Sequence, residues 1–239
     1  MTMLSVIVPA FNEERYLPDT LGHIRSALAS ANCPSELIVV DNESTDATVE
    51  IALTHDARVI TETEHNIAKV RNTGAANAIG DVLIFIDADT HVPQVLFRSI
   101  AEAMEDRKCF GGAVTVQYEP FRRKWLKYYV VGWKFWDHFF NMKQGAAQFC
   151  RRSVFEEIKG YDETIFVGED IQFYWRLARH ARRNGGRLHY ITDLKVITSS
   201  RRFDNMSLAK ILLYTQPLYF YLNWRKRHRW DDWYQKTVR

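Results

Sequence analysis

The sequence predicts an α/β fold, a mostly parallel sheet flanked by helices on both faces. Three observations predict it. The first hundred residues carry four short apolar runs, LSVIVPA, ELIVVD, ARVI and DVLIFID. Between runs, apolar residues recur at helical spacing, as at Leu17, Leu21, Ile24 and Leu28 and again at Ile67, Val70, Gly74 and Ala78. The runs themselves are near-continuously apolar rather than alternating, which is the pattern of parallel strands covered on both faces. A βαβαβαβ order of this kind folds with right-handed crossovers.

Taken in order, Leu4–Ala10 is the first strand, Glu36–Asp41 the second, Ala57–Ile60 the third and Asp81–Asp87 the fourth. In parallel sheets the ligand crevice lies beyond the carboxyl ends of the strands. Asp41 and the pair Asp87/Asp89 all stand at such ends, so they share one rim. THVPQVLF follows and reads as the start of a helix, with Pro93 near its first turn. Phe110–Tyr118 (FGGAVTVQY) reads as a strand. Beyond Gly168, Ile171, Tyr174, Trp175, Ala178 and Ala181 have helical spacing, and RLHYI and LKVIT read as two late strands.

A chain of 239 residues suits one α/β domain with an added segment. The net charge is +3, and the four basic residues Arg225, Lys226, Arg227 and Arg229 exceed that whole excess. The basic character is therefore local, which argues against a nucleic-acid partner. Cys33, Cys109 and Cys150 lie far apart with no CxxC, so neither a disulfide framework nor a structural zinc site is expected, and a reducing, cytoplasmic compartment is. The first strand begins at once, without the basic and apolar stretches of a signal peptide. No run reaches roughly 18 apolar residues, so no membrane-spanning helix is expected.

The chemistry concentrates at four places. Asp87 and Asp89 end a buried strand, and desolvating either carboxylate unpaired costs on the order of several kcal/mol. A cation is therefore expected beside them. If the strand turns on leaving the sheet, one carboxylate can hold Mg²⁺ or Mn²⁺ while the other meets a sugar hydroxyl. Equally, the pair could cap the following helix. Glu169 and Asp170 open a helix after Gly168, where acidic residues either complement the helix dipole or supply a general base. Arg71 and the pair Arg201/Arg202 are either solvated charges or groups that stabilise a diphosphate. His65 and His91 have no partner at metal-ligand spacing and read as ordinary histidines.

In this order, SVIVPAFNEERYLPDTL, ELIVVDNESTDAT, NIAKVRNTGAANAIGDVLIFIDADT and GAAQFCRRSVFEEIKGYDETIFVGEDIQFYWRL resemble the family 2 glycosyltransferases of the GT-A fold, over roughly residues 4–200. The resemblance implies that Pro9, Ala10 and Glu13 line a nucleotide pocket and that Asp41 contacts the base, most often uracil, with Arg71 near the same ring. It further implies that Asp87 faces the ribose and that Asp89 binds the metal bridging the diphosphate. Asp170 would take the acceptor's proton, with Glu169 beside it, and Arg201 or Arg202 would help hold the leaving diphosphate. The implied reaction inverts the anomeric centre of a nucleotide-sugar, UDP favoured. The QxxRW pattern of processive members is absent, which argues against polymer synthesis. A nucleotidyltransferase, or a non-catalytic nucleotide-sugar-binding protein at a membrane, are the other readings of these residues; no glycine-rich phosphate loop follows the first strand.

Residues 1–205 are read as the catalytic domain, with 1–108 its nucleotide-sugar half and 109–205 its acceptor half, and 206–239 as an apolar and basic tail. Between Trp125 and Phe140 stand eight aromatic residues, with Trp125, Tyr128, Tyr129, Trp133, Trp136 and Phe140 on one helical face among Lys124, Lys127, Lys134 and Lys143. That helix is read as core packing, an acceptor wall or an interfacial membrane element. ILLYTQPLYFYLNW followed by RKRHR fits peripheral contact with an anionic leaflet. A lipid-linked acceptor, used at the inner face of the cytoplasmic membrane in cell-envelope or glycolipid synthesis, would account for both segments.

Overall fold

Strand β1 (Leu4–Ala10) is buried along its whole length, as its unbroken apolar sequence demands. It pairs in parallel with β2 (Ser35–Asp41) on one side and β4 (Val82–Ile86) on the other, and β2 pairs with β3 (Arg58–Thr61). The computed structural model describes residues 2–120, 123, 125, 142, 143, 145–204, 206–214 and 216–230. The aromatic and lysine positions expected to form a helix therefore lie outside the described residues, apart from Trp125 and Lys143, as does the end of the tail from residue 231.

Helices α1 (Leu17–Ala31), α2 (Thr48–Thr54) and α3 (Ile67–Asn77) make the crossovers. The α1 face Leu17, Leu21, Ile24 and Leu28 is buried, as its spacing predicts. In α3, Asn66 caps the helix by accepting from the amides of Ala68 and Lys69. Gly74 lies against the sheet so closely that a Cβ there would stand 2.4 Å from Ile7 Cγ2 and 2.8 Å from Val40 Cγ2.

The second half continues the same sheet. β5 (Thr90–His91), α4 (Leu96–Glu105), β6 (Cys109–Tyr118), β7 (Ala147–Arg151), α5 (Arg152–Glu157), α6 (Glu169–Arg183) and β8 (Arg187–Thr198) follow in sequence. The eight strands lie in the order β3-β2-β1-β4-β7-β6-β8-β5. β7 runs antiparallel to both neighbours, β4 and β6, while β6 and β8 are parallel. The predicted mostly parallel sheet is thus observed, with one reversed strand at its centre. Short helices α7 (Arg201–Asp204), α8 (Leu208–Tyr214) and α9 (Pro217–Asn223) close the described chain, ending at Trp230, which is fully buried.

Two local expectations are corrected. The helix read from Thr90 begins at Leu96 instead, because Thr90 and His91 leave to pair with Thr198 and Ile197 of β8. The two late strands are one, β8, whose register on β6 slips between Val114 and Thr115, where the break in the apolar pattern lay.

Candidate active site

The rim beyond the carboxyl ends of β1, β2 and β4 gathers the predicted side chains. Ala10 pairs with Asp41 in the parallel register, with Pro9 one step earlier opposite Val40. The two exit loops are laced together: Asn42 N–H donates to Ala10 O at 2.9 Å, and Glu13 N–H donates to Thr48 Oγ1 at 2.7 Å. Asp41 is buried, and both its carboxylate oxygens accept from Ser44 N–H, at 3.2 and 3.3 Å. Hydrogen bonds of this kind hold the loop after β2 as a shallow polar ledge beside the loop after β1.

The cations next to the Asp87/Asp89 pair are two arginines. Arg71, 2% exposed, extends from α3 between two carboxylates. Its Nη2 donates to Asp87 Oδ1 at 2.8 Å and its Nη1 to Glu169 Oε1 at 2.5 Å. The guanidinium also lies 5.4 Å from the centre of the buried Tyr161 ring. Burial alone would weaken its hold on its proton, but Asp87 and Glu169 together raise its pKa above the ordinary arginine value. The resemblance set Arg71 beside the nucleotide base; its hydrogen bonds instead join the β4 exit to the start of α6.

Asp89 has a different partner. Arg201, from the start of α7, donates through Nε to Asp89 Oδ2 at 3.0 Å and through Nη2 to Glu13 Oε1. Its guanidinium stacks 4.4 Å over the ring of Tyr16. Thr198 Oγ1 donates to Asp89 Oδ1 at 3.1 Å. The backbone of Arg202 continues α7, and its side chain lies outside the described set. Asp87 and Asp89 thus diverge at the strand exit, as a turning chain requires, and neither caps α4.

Asp170 stands across the rim. Gly168, with φ of 76°, makes the left-handed turn that lets the chain enter α6 with Glu169 pointing inward. Gly145 N–H donates to Asp170 Oδ2 at 2.5 Å, and Ile171 N–H donates to Oδ1 at 2.8 Å. Desolvation of the carboxyl, and then the charge of Glu169, push its pKa up to about 7, while Arg71 and the two amides pull the other way. A carboxylate poised there titrates in the range a general base needs.

Several participants carried no signal of their own in the sequence. A Cβ at Gly145 would stand 2.5 Å from Asp170 Cβ, so only glycine fits beneath the carboxyl. Gln148 is buried and donates to Asp170 O at 3.2 Å and Lys143 O at 3.1 Å, while accepting from Tyr161 O–H at 3.4 Å. Tyr161, Tyr16 and Thr198 complete the surroundings of the two arginines. Glycine at a contact and a lone tyrosine are common residues in common places, and only the fold reveals their use. His91 stacks on His23 at 4.4 Å and His65 bonds to Asn42, both as ordinary histidines.

The model of the family described as Glycosyl transferase family 2 matches residues 5–159. The 4,4'-diaponeurosporenoate glycosyltransferase of Staphylococcus haemolyticus is 33% identical over 135 residues, covering 49% of this chain and 34% of that protein. The chain spans 34–38% of the length of the first curated relatives it matches. The crystal structure of S. aureus TarS 1–349 superposes with a TM-score of 0.63 at 19% identity, covering 84% of this chain and 61% of that one. Glucosyl-3-phosphoglycerate synthase from Mycobacterium tuberculosis, solved with Mn²⁺, UDP and glucosyl-3-phosphoglycerate, superposes with a TM-score of 0.62 at 19% identity, covering 94% of this chain and 80% of that one. Likeness at this identity establishes the shared GT-A fold.

Proposed function

The chain belongs to glycosyl transferase family 2, and from that premise we propose that it moves a sugar from a nucleotide-sugar, favouring UDP, to a hydroxyl acceptor with inversion. The observation that carries the reading is Asp170. Its carboxyl is tuned to about 7 and is joined to the donor-side Asp87 through Glu169 and Arg71.

In this mechanism the base of the nucleotide lies on the ledge formed by Pro9, Ala10, Glu13 and Asp41. Asp87 accepts a hydrogen bond from a ribose hydroxyl with the oxygen not held by Arg71. Asp170 accepts the proton of the acceptor hydroxyl as that oxygen attacks the anomeric carbon from the face opposite the diphosphate. The bond from that carbon to the diphosphate oxygen breaks in the same displacement, through a transition state with oxocarbenium character as in glycoside hydrolysis. Arg201 meets the negative charge gathering on the departing diphosphate. Arg71 acts as a positioning residue, holding Glu169 in place beside Asp170.

Among the described residues no group of three or more His, Cys, Asp or Glu side chains converges on one point. The described residues therefore offer no metal cage made wholly of protein ligands. A single carboxylate fits Mg²⁺ or Mn²⁺ of the kind bound by one or two carboxylates together with substrate phosphates, and Asp89 is that carboxylate. When bound there, the ion would neutralise charge on the diphosphate as a Lewis acid. Arg201, which donates to Asp89 Oδ2 at 3.0 Å, would stand beside the diphosphate there.

We assign a lipid-linked acceptor and work at the inner face of the cytoplasmic membrane, in cell-envelope or glycolipid synthesis, with residues 1–108 serving the donor and 109–205 the acceptor. No helix among the described residues is long and apolar enough to cross a membrane, so the assigned contact is peripheral. Thermal unfolding with UDP, GDP, CMP and dTDP, each with and without Mn²⁺, tests the donor. A ligand at about 100 times its Kd adds roughly 2.7 kcal/mol, or on the order of 5–10 °C for a chain of this size. UDP alone should give that shift, enhanced by Mn²⁺ and lost in Asp89→Ala. Asp170→Asn should lower transfer by about 10²-fold or more while the UDP shift survives. Equal loss of both would show that Asp170 binds the donor instead of acting as base.

A further inference from the structure

Exposed apolar side chains are not scattered over this molecule. Eight large ones are exposed among the described residues, and five of them, Leu208, Leu212, Leu213, Tyr221 and Leu222, sit on the consecutive helices α8 and α9. Each helix also has an inner face: Ile211 and Tyr214 turn inward from α8, and Tyr219 and Asn223 from α9. The helices are therefore apolar on both sides, a waste of solubility unless the outer side meets something apolar. Immediately after them come Arg225, Lys226, Arg227 and Arg229, all exposed. Arg225 pairs with Asp162 at 2.8 Å.

We propose that the outer face of α8 and α9, with the basic turn beside it, is a docking surface for an anionic lipid bilayer. Charge complementarity selects this occupant. Leucines and a tyrosine sink to the level of the headgroups while the cations pair with lipid phosphates. A stable protein partner takes on the order of 20–30 residues a side, far more than these two short helices expose.

The surface is fastened to the start of α6, which gives docking a consequence. Trp230 is fully buried, donates through Nε1 to Asn223 O at 2.8 Å, and meets Tyr214 edge-on at 5.0 Å. It shares a cluster with Val167 and Ile171, which flank Glu169 and Asp170. Phe166 N–H donates to Trp224 O at 2.8 Å. Docking therefore sets the start of α6, which carries Asp170, at a fixed height above the lipid, where a lipid-linked hydroxyl would be presented. This last step rests on the glycosyltransferase reading; the docking itself does not.

The experiment is flotation of the full chain with vesicles of phosphatidylglycerol and phosphatidylcholine in equal parts, and with phosphatidylcholine alone. Binding is expected to the anionic vesicles only and to weaken with salt. Leu212→Ser combined with Leu222→Ser should abolish it. Lys226→Ala, Arg227→Ala and Arg229→Ala together should weaken it by about fivefold per residue. This second set, all at exposed positions, decides the matter if the leucine variant fails to fold. Arg182→Ala with Arg183→Ala, on the exposed end of α6, should change nothing. Failure to float, equal binding to neutral vesicles, indifference to both variant sets, or equal loss in the Arg182/Arg183 control would each overturn the proposal. Because no nucleotide is present, a missing UDP response would sink the donor reading while leaving this one standing.

Discussion

Two arginines sit at this rim, each between two carboxylates, and they are built to opposite ends. Arg71 comes from α3 in the first half of the chain, is 2% exposed and bridges Asp87 to Glu169. Arg201 comes from the short α7 near the end of the chain, keeps 19% of its side chain exposed and bridges Asp89 to Glu13. A fully enclosed ion cluster adds little net stability, since desolvation offsets most of its attraction, but breaking it leaves bare charges behind. A partly wetted cluster on a four-residue helix can open at small cost. The first arrangement suits a fixed strut and the second a contact that exchanges when ligand arrives.

The largest expected effect breaks the strut. Arg71→Met leaves Asp87 and Glu169 uncompensated and should destabilise the protein by about 3–5 kcal/mol, lowering Tm on the order of 10 °C. If scanning calorimetry showed Arg201→Ala to be equally costly, the contrast between the two sites would collapse. Gly145→Ala comes next: its methyl would displace Asp170, and misplacement of a catalytic group by about 1 Å can cost on the order of 10²-fold in kcat. The UDP thermal shift should be unchanged in that variant.

Glu169→Gln sharpens the role of Arg71's acidic partner through pH. Asp170 must be ionised to act, so transfer should rise as pH passes about 7. Removing the neighbouring charge that raises this pKa should move the acid limb of the profile to lower pH, and an unmoved limb would detach Glu169 from Asp170. Stability runs the other way. The folded pKa lies above the ordinary 3.8, so the protonated carboxyl's contribution is full below that value and is lost as pH climbs to about 7. The smallest effect is Arg201→Ala. It should destabilise less than Arg71→Met while weakening UDP binding in the presence of Mn²⁺, measured by titration calorimetry.

The contrast also marks how far the sequence could be read. Strands β1, β2 and β4, with α1 and α3, are legible because burial writes long apolar runs and three-to-four spacing into the chain, and the edge strand β3 shows as a short apolar run. Asp41, Asp87 and Asp89 are conspicuous because a carboxylate that ends a buried apolar strand is costly, and Glu169 and Asp170 because two adjacent carboxylates follow a glycine at a helix start. β7 was not legible: AQFCR is short, and Gln148, buried within it, breaks the apolar signal while serving Asp170. Glu169 lies 98 residues from Arg71 and Glu13 lies 188 residues from Arg201, separations at which no spacing rule reports contact. Electrostatics called for a cation beside Asp87 and Asp89 and the resemblance made it Mg²⁺ or Mn²⁺; that two arginines also bond to these carboxylates required the fold.

Strand β7, reversed at the centre of the sheet, has one more consequence. Because it runs against β4 and β6, it starts on the side where β4 ends, with Ala147 opposite Ile86, while Tyr118 at the end of β6 is fastened to Thr198. The chain between Tyr118 and Ala147 therefore departs from and returns to the same rim, beside the carboxylates. The two sheet-bound ends, Tyr118 and Ala147, thus fix where the intervening chain leaves and re-enters the sheet: on the side where Asp87 and Asp89 stand, so that a change in its length is absorbed at that rim and not in the strand register.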